Sequence, residues 1–177
     1  MIIKSLTRKS NYFGQPVRYI LHKHHEDYPT WIILHNMDCD PSNHKEIIEA
    51  FKHNDSFRKK RANGIAMYHE VLSFASSDKQ YILESPYLME ELANYYIKLR
   101  TNGLAMAYPH FDTDHPHVHI LMSANERKSS ASVRISKSQF RDIKQKMETH
   151  MIDNYPQLSH SIIQKHLKKN RSISKSR

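Results

Sequence analysis

This chain of 177 residues has three glycines, Gly14, Gly64 and Gly103, and one cysteine, Cys39. The glycines stand far apart, so no glycine-rich loop can cradle a nucleotide's phosphates, and ATP- or dinucleotide-driven chemistry is excluded. A single thiol excludes an internal disulfide and a cysteine-built zinc cage, and it suits a reducing compartment. No window of about 18 apolar residues occurs. The N-terminal MIIKSLTRKS returns to charge after a few apolar residues, so we expect neither a signal peptide nor a membrane segment, and a cytoplasmic protein.

What is present is positive charge and histidine. The net charge is +9 and there are 14 histidines. Such a balance favours an anionic partner, nucleic acid above all. Six of those charges belong to the last thirteen residues, KHLKKNRSISKSR, leaving +3 for residues 1–164, so part of the signal is a solvated basic tail. At 38% hydrophobic and 25% charged, the chain fits one globular domain with a sizeable core.

Periodicity predicts a first strand over Ile2–Leu6, a helix over Gly14–His24 and a strand over Thr30–Met37. Ser42–Arg61 reads as a helix with a Ser N-cap, and Ile65–Ala75 as a central strand after the Asn63-Gly64 turn. Ser85–Gly103 has Ser as N-cap, Pro at the first helical position, early acids, late cations and Gly as terminator. Leu104–Phe111 and His117–Ala124 then pair around a polar turn, and Ser136–Asn154 forms a last helix. Interleaved strands and helices ending in a hairpin predict an α+β fold, helices packed on a largely antiparallel sheet.

The densest chemistry is HFDTDHPHVHI, His110–Ile120. With Thr113–Pro116 as the hairpin turn, Asp112 falls opposite His117 and His110 opposite His119. Side chains alternate along a strand, so His117 and His119 share a face while Val118 and Ile120 enter the core. Three imidazoles on one face have no packing rationale. They suit a divalent cation held by three neutral nitrogens with a position left open, the arrangement of catalytic sites. Asp112 would accept the second ring N–H of a ligand and fix its tautomer. His115, in the turn, stays outside the ligand set. A Lewis acid beside a basic surface suits a phosphodiester.

A nucleophile is suggested by GQPVRYILHKHH. On a helix, Val17, Ile20, Leu21 and His24 share one side, and Tyr19 lies opposite among Arg18, His22 and Lys23. Cations there would favour the phenolate and draw a phosphate to the hydroxyl, and tyrosine can act as a covalent nucleophile. Tyr12 is a second early tyrosine, placed in a loop before Gly14.

HFDTDHPHVHILMSANE resembles the third motif of the HUH-superfamily relaxases, the mobilisation nucleases of plasmids and conjugative elements, with His117-Val118-His119 as His, bulky hydrophobe, His. GQPVRYIL is similar to their first motif, and HEVLSFASSD, His69–Asp78, to the second, whose serine corresponds to Ser73. The order of tyrosine, serine and histidine motifs is that of the VirD2-like, MobP-type relaxases. It sets the chain apart from rolling-circle initiators and certain transposases, which place the tyrosine last.

The resemblance implies a palm-like, about five-stranded antiparallel sheet, a relaxase domain over residues 1–155 and a basic tail over 156–177. It implies site-specific transesterification of single-stranded DNA at an origin of transfer, with Tyr19 joined to the 5′ phosphate, Ser73 positioning DNA, and accessory mobilisation proteins as further partners. His110, His117 and His119 would hold Mg²⁺ or Mn²⁺, with Zn²⁺ a reasonable occupant. Some relatives use a histidine nucleophile, which keeps His22 as a second candidate. Relatives usually continue into a second region, so initiation of transfer rather than transport is expected. Two other readings share the triad: a water-using histidine metallohydrolase on phosphoesters, and a non-catalytic DNA-binding module.

Overall fold

The computed structural model describes residues 1–22, 28, 30–59, 61, 63–85 and 87–163. Five strands, β1 (Ile2–Arg8), β2 (Ile33–His35), β3 (Met67–Ser73), β4 (Gly103–His110) and β5 (His117–Glu126), form one sheet in the order β1-β3-β5-β4-β2, antiparallel throughout. The helices are α1 (Gly14–Leu21), α2 (His44–Ser56), α3 (Lys79–Glu84), α4 (Leu88–Arg100) and α5 (Lys137–Asn154). This is the α+β architecture expected. Among the described residues no helix is long and apolar enough to cross a membrane.

Strand alternation divides the core. Leu72, Val118, Ile120 and Met122 pack with Leu92, Tyr96 and Met147 of α4 and α5 on one face. Met67, Met106 and Leu121 pack with Val17, Ile20 and Phe51 of α1 and α2 on the other. Phe13 and Phe51 stack at 6.1 Å and help to dock α1.

The differences from expectation have local causes. Asn43, not Ser42, caps α2, accepting from the backbone N–H groups of Lys45 and Glu46, and the helix stops at Ser56, before Arg61. β2 keeps only three residues of Thr30–Met37, because Asn36 turns to φ 60° and its side chain donates to the Gly103 carbonyl at 3.0 Å. Ser85 closes the short helix α3 rather than opening α4, which begins at Leu88. Gly103 starts β4 instead of terminating α4; a Cβ there would meet Ser123 Oγ at 2.5 Å and the Asn125 carbonyl at 2.6 Å, so glycine permits the close approach of two backbones. Ser136 caps α5 with a reciprocal bond pair to Gln139, as its sequence suggests.

Beyond α5 the chain keeps packing. Leu158 and Ser161 are buried, and Ser161 donates its N–H and Oγ–H to Asp78 at 2.7 and 2.6 Å. Leu158 and Ser161, assigned by sequence to the basic tail, are therefore part of the packed fold, Ser161 against the segment that follows β3.

Candidate active site

The β4–β5 hairpin sets the site. Its register places His110 opposite His117 and Tyr108 opposite His119. The expected pairing of His110 with His119 and Asp112 with His117 is therefore two residues out. The connection is longer than a four-residue turn because the Pro116 carbonyl pairs with the Phe74 N–H at 2.9 Å, while Phe111 is buried in the core. All three histidines nevertheless share one face. Each offers a ring nitrogen within 4.8 Å of the other two, and their ring centroids lie 4.6 to 5.3 Å apart.

Each ring is aimed by a bond to its other nitrogen. His110 Nε2 bonds the carbonyl of Ile20 at 2.8 Å, His117 Nδ1 the carbonyl of His115 at 2.9 Å, and His119 Nδ1 the Nε2 of His69 at 2.8 Å. The inner nitrogens are then His110 Nδ1, His117 Nε2 and His119 Nε2. Three imidazole nitrogens, turned inward and backed by outer partners, fit a divalent cation; they suit Zn²⁺ directly, while oxygen-preferring Mg²⁺ and Mn²⁺ are less well matched by nitrogen alone.

His69, which sequence reasoning left among the unassigned histidines, is the further member. It is buried, and burial, then Arg8 and His110, hold its pKa down at about 4 from 6.5, so it is neutral near pH 7. Arg8 Nη2 donates to its Nδ1 at 3.4 Å, a pattern that leaves the ring proton on Nε2, directed at His119. A cation on His119 Nε2 would reverse that bond, with His119 Nδ1–H donating and His69 Nε2 accepting, and would move the His69 proton to Nδ1 at the expense of the long Arg8 contact. The available sequence signal was its two-residue phase with Ser73, which puts positions 69, 71 and 73 on one face.

α1 brings Tyr19 to this cluster. Val17, Ile20 and Leu21 are buried, whereas Arg18, Tyr19 and His22 are exposed, as the helical phase predicts. The Tyr19 ring meets His119 edge-on at 6.2 Å. The carbonyl that holds His110 belongs to Ile20, the next residue, so the helix turn that carries Tyr19 is bonded to the histidine cluster. Tyr12 shares with Tyr19, Arg18 and His22 the lining of an open groove. Ser73 ends β3 opposite His117, half-buried. Asp112 lies off the paired strands, half-buried in the loop. Lys23, His24 and His25 lie outside the described residues.

The model of the relaxase family, MobA/VirD2-like, nuclease domain, matches residues 19–152. No curated protein matches the chain. Among solved structures, one described as the conjugative relaxase TrwC in complex with oriT DNA, metal-bound, shares the fold at a TM-score of 0.55. It does so over 90% of this chain and 69% of that one, at 9% identity.

Proposed function

Since the chain belongs to the MobA/VirD2-like relaxases through its nuclease domain, we propose that it nicks single-stranded DNA at an origin of transfer by metal-assisted transesterification. The observation that carries this reading is the bond from His110 to the carbonyl of Ile20, which couples the three-histidine cluster to the helix turn bearing Tyr19.

His110, His117 and His119 would hold the divalent cation, which supplies Lewis-acid polarisation of the phosphoryl oxygens. Tyr19 Oη attacks the scissile phosphorus and the bond from phosphorus to the 3′ oxygen breaks. The protein remains joined to the 5′ phosphate, the phenol gives up its proton and the 3′ oxygen gains one. Bond count and proton count are unchanged, so the 3′ hydroxyl can reverse the step with no external energy source. Arg18, exposed beside Tyr19, offers positive charge to the DNA phosphate, and Lys23, by its place in the same sequence run, would contact DNA as well. Ser73 positions the strand beside His117. Asp112, in the loop after β4, would be the carboxylate that backs a histidine ligand, and His69 orients His119. The cation would be Mg²⁺ or Mn²⁺, with Zn²⁺ the occupant that three imidazole nitrogens bind most tightly, and accessory mobilisation proteins would act beside the DNA.

The test is to incubate the protein with Mn²⁺ and a single-stranded oligonucleotide from an origin of transfer, then resolve products on a denaturing gel. A protein–DNA adduct lost in Tyr19→Phe and in His117→Ala is expected. Cleavage with no adduct and no dependence on Tyr19 would favour a water-using metallohydrolase; binding without cleavage would favour a DNA-binding module.

A further inference from the structure

Four of the seven large apolar side chains left exposed among the described residues, Ile2, Leu6, Tyr12 and Tyr19, flank the histidine cluster. The two tyrosines belong to the α1 side. The two aliphatic residues lie on β1, on the opposite side, and nothing in the chemistry above uses them.

Their face follows from the register. Ile2 pairs with Ser73, Lys4 with Val71 and Leu6 with His69, and directly opposed residues in an antiparallel pair point the same way. Val71 and Ser73 in turn face His119 and His117 across β3 and β5. Ile2, Lys4 and Leu6 therefore extend the histidine face of the sheet. The intervening residues go the other way: Ile3 is in the core under α4 and α5, and Ser5 donates to Glu70 at 2.7 Å. Ile2 is 51% and Leu6 58% exposed, so this strip lies open. With strands about 4.8 Å apart, it begins roughly 10 Å from the histidines of β5. A cavity of about 330 Å³, lined by Ile2, Lys4, Ser73 and His115 among others, joins it to the loop that braces His117.

We propose that β1 is a binding platform for single-stranded DNA next to the scissile phosphate, with bases lying on Leu6 and Ile2 and a backbone phosphate paired with Lys4. The proposal rests on the nickase reading. A row of aliphatic, cationic and aliphatic side chains matches a strand whose base faces are bare. A duplex hides those faces and would leave Leu6 and Ile2 with nothing to cover them. A second copy of the chain is disfavoured as occupant, because the lysine in the middle of this edge strand opposes strand-to-strand pairing.

The experiment is fluorescence anisotropy with a labelled 20-nucleotide single strand of mixed sequence and the matching duplex, in EDTA, over a range of NaCl concentrations. Leu6→Ser is expected to weaken single-strand binding about tenfold at every salt, the scale of one lost aliphatic contact, with the salt slope unchanged. Lys4→Ala is expected to reduce the slope of log affinity against log salt by about 0.7, one phosphate contact. Ile2→Ser provides a second apolar variant, and Mn²⁺ affinity should match wild type in all three. Wild-type affinity in all three variants would overturn the platform while leaving the nickase reading intact, whereas a wild type that binds no single strand would sink that reading and the platform with it. Equal losses on duplex would overturn the single-strand assignment, and a fall in solution mass on Leu6→Ser would assign the strip to a second copy instead.

Discussion

β3 carries two buried ionisable side chains in succession, and the pleat sends them to opposite faces. Glu70 accepts from Ser5, from Tyr96 Oη and from Arg100, whose Nε and Nη2 each lie at 3.1 Å. Arg100 also donates to the Val133 carbonyl and lies 4.9 Å from the Tyr68 ring centroid. That cluster sets charge against charge and is closed by its own contacts. It pins β1, β3 and α4 together. His69 joins a cluster of like groups instead: four imidazoles, open toward half-buried His117 and exposed Tyr19. Imidazoles gain little from gathering, so a shared guest is what their convergence serves. Buried polar groups that complete one another belong to the fold, and those that repeat one another mark a binding site.

The contrast can be broken at either end. His117→Ala should lower Mn²⁺-dependent nicking by roughly 10³-fold, by loss of a ligand and of electrostatic stabilisation, while the urea midpoint stays close to wild type. A large loss of stability would mean that the histidines are structural after all. Glu70→Ala should do the reverse, costing about 3–5 kcal/mol by stranding buried Arg100 and leaving Mn²⁺ affinity of the folded protein unchanged. Calorimetric titration after urea denaturation checks both halves.

A smaller effect is expected at His69, which acts on the cation only through His119. His69→Leu should weaken Mn²⁺ binding about 10- to 100-fold, and His69→Gln, which keeps an acceptor, should lose less. The smallest effect is on pH dependence. In EDTA the unfolded chain protonates His69 below about 6.5, while the folded protein refuses the proton until about 4. The unfolded state thus binds more protons in that window, and His69's contribution to stability, complete above pH 6.5, is lost as the pH falls toward 4. Urea curves from pH 7.5 to 4.5 should converge on those of His69→Leu at the acid end; parallel curves would count against a neutral buried His69.

Much of the site was legible because it depends on parity. The hairpin register was misjudged by two residues, yet a shift of two preserves the face of every side chain, whereas a shift of one would have scattered the histidines. Tyr19 was readable for a similar reason, since the phase of a single helix decides its exposure. His69 was not, because its bond to His119 spans 50 positions and exists only once β3 lies beside β5. Gly103 misled as a helix terminator: only the fold reveals the backbone approach that requires it. α3 was missed because a six-residue helix offers too few turns for a period to register.

The most direct test of the central claim is to trap the DNA-linked protein, digest it with nuclease and trypsin, and locate the nucleotide by mass spectrometry. Tyr12 and Tyr19 fall on different tryptic peptides, cut apart after Arg18. An acid-stable nucleotide on the peptide that begins at Tyr19, absent from Tyr19→Phe, is the predicted result. A nucleotide on the Tyr12 peptide, or an acid-labile one at His22, would contradict the assignment of Tyr19 as the nucleophile.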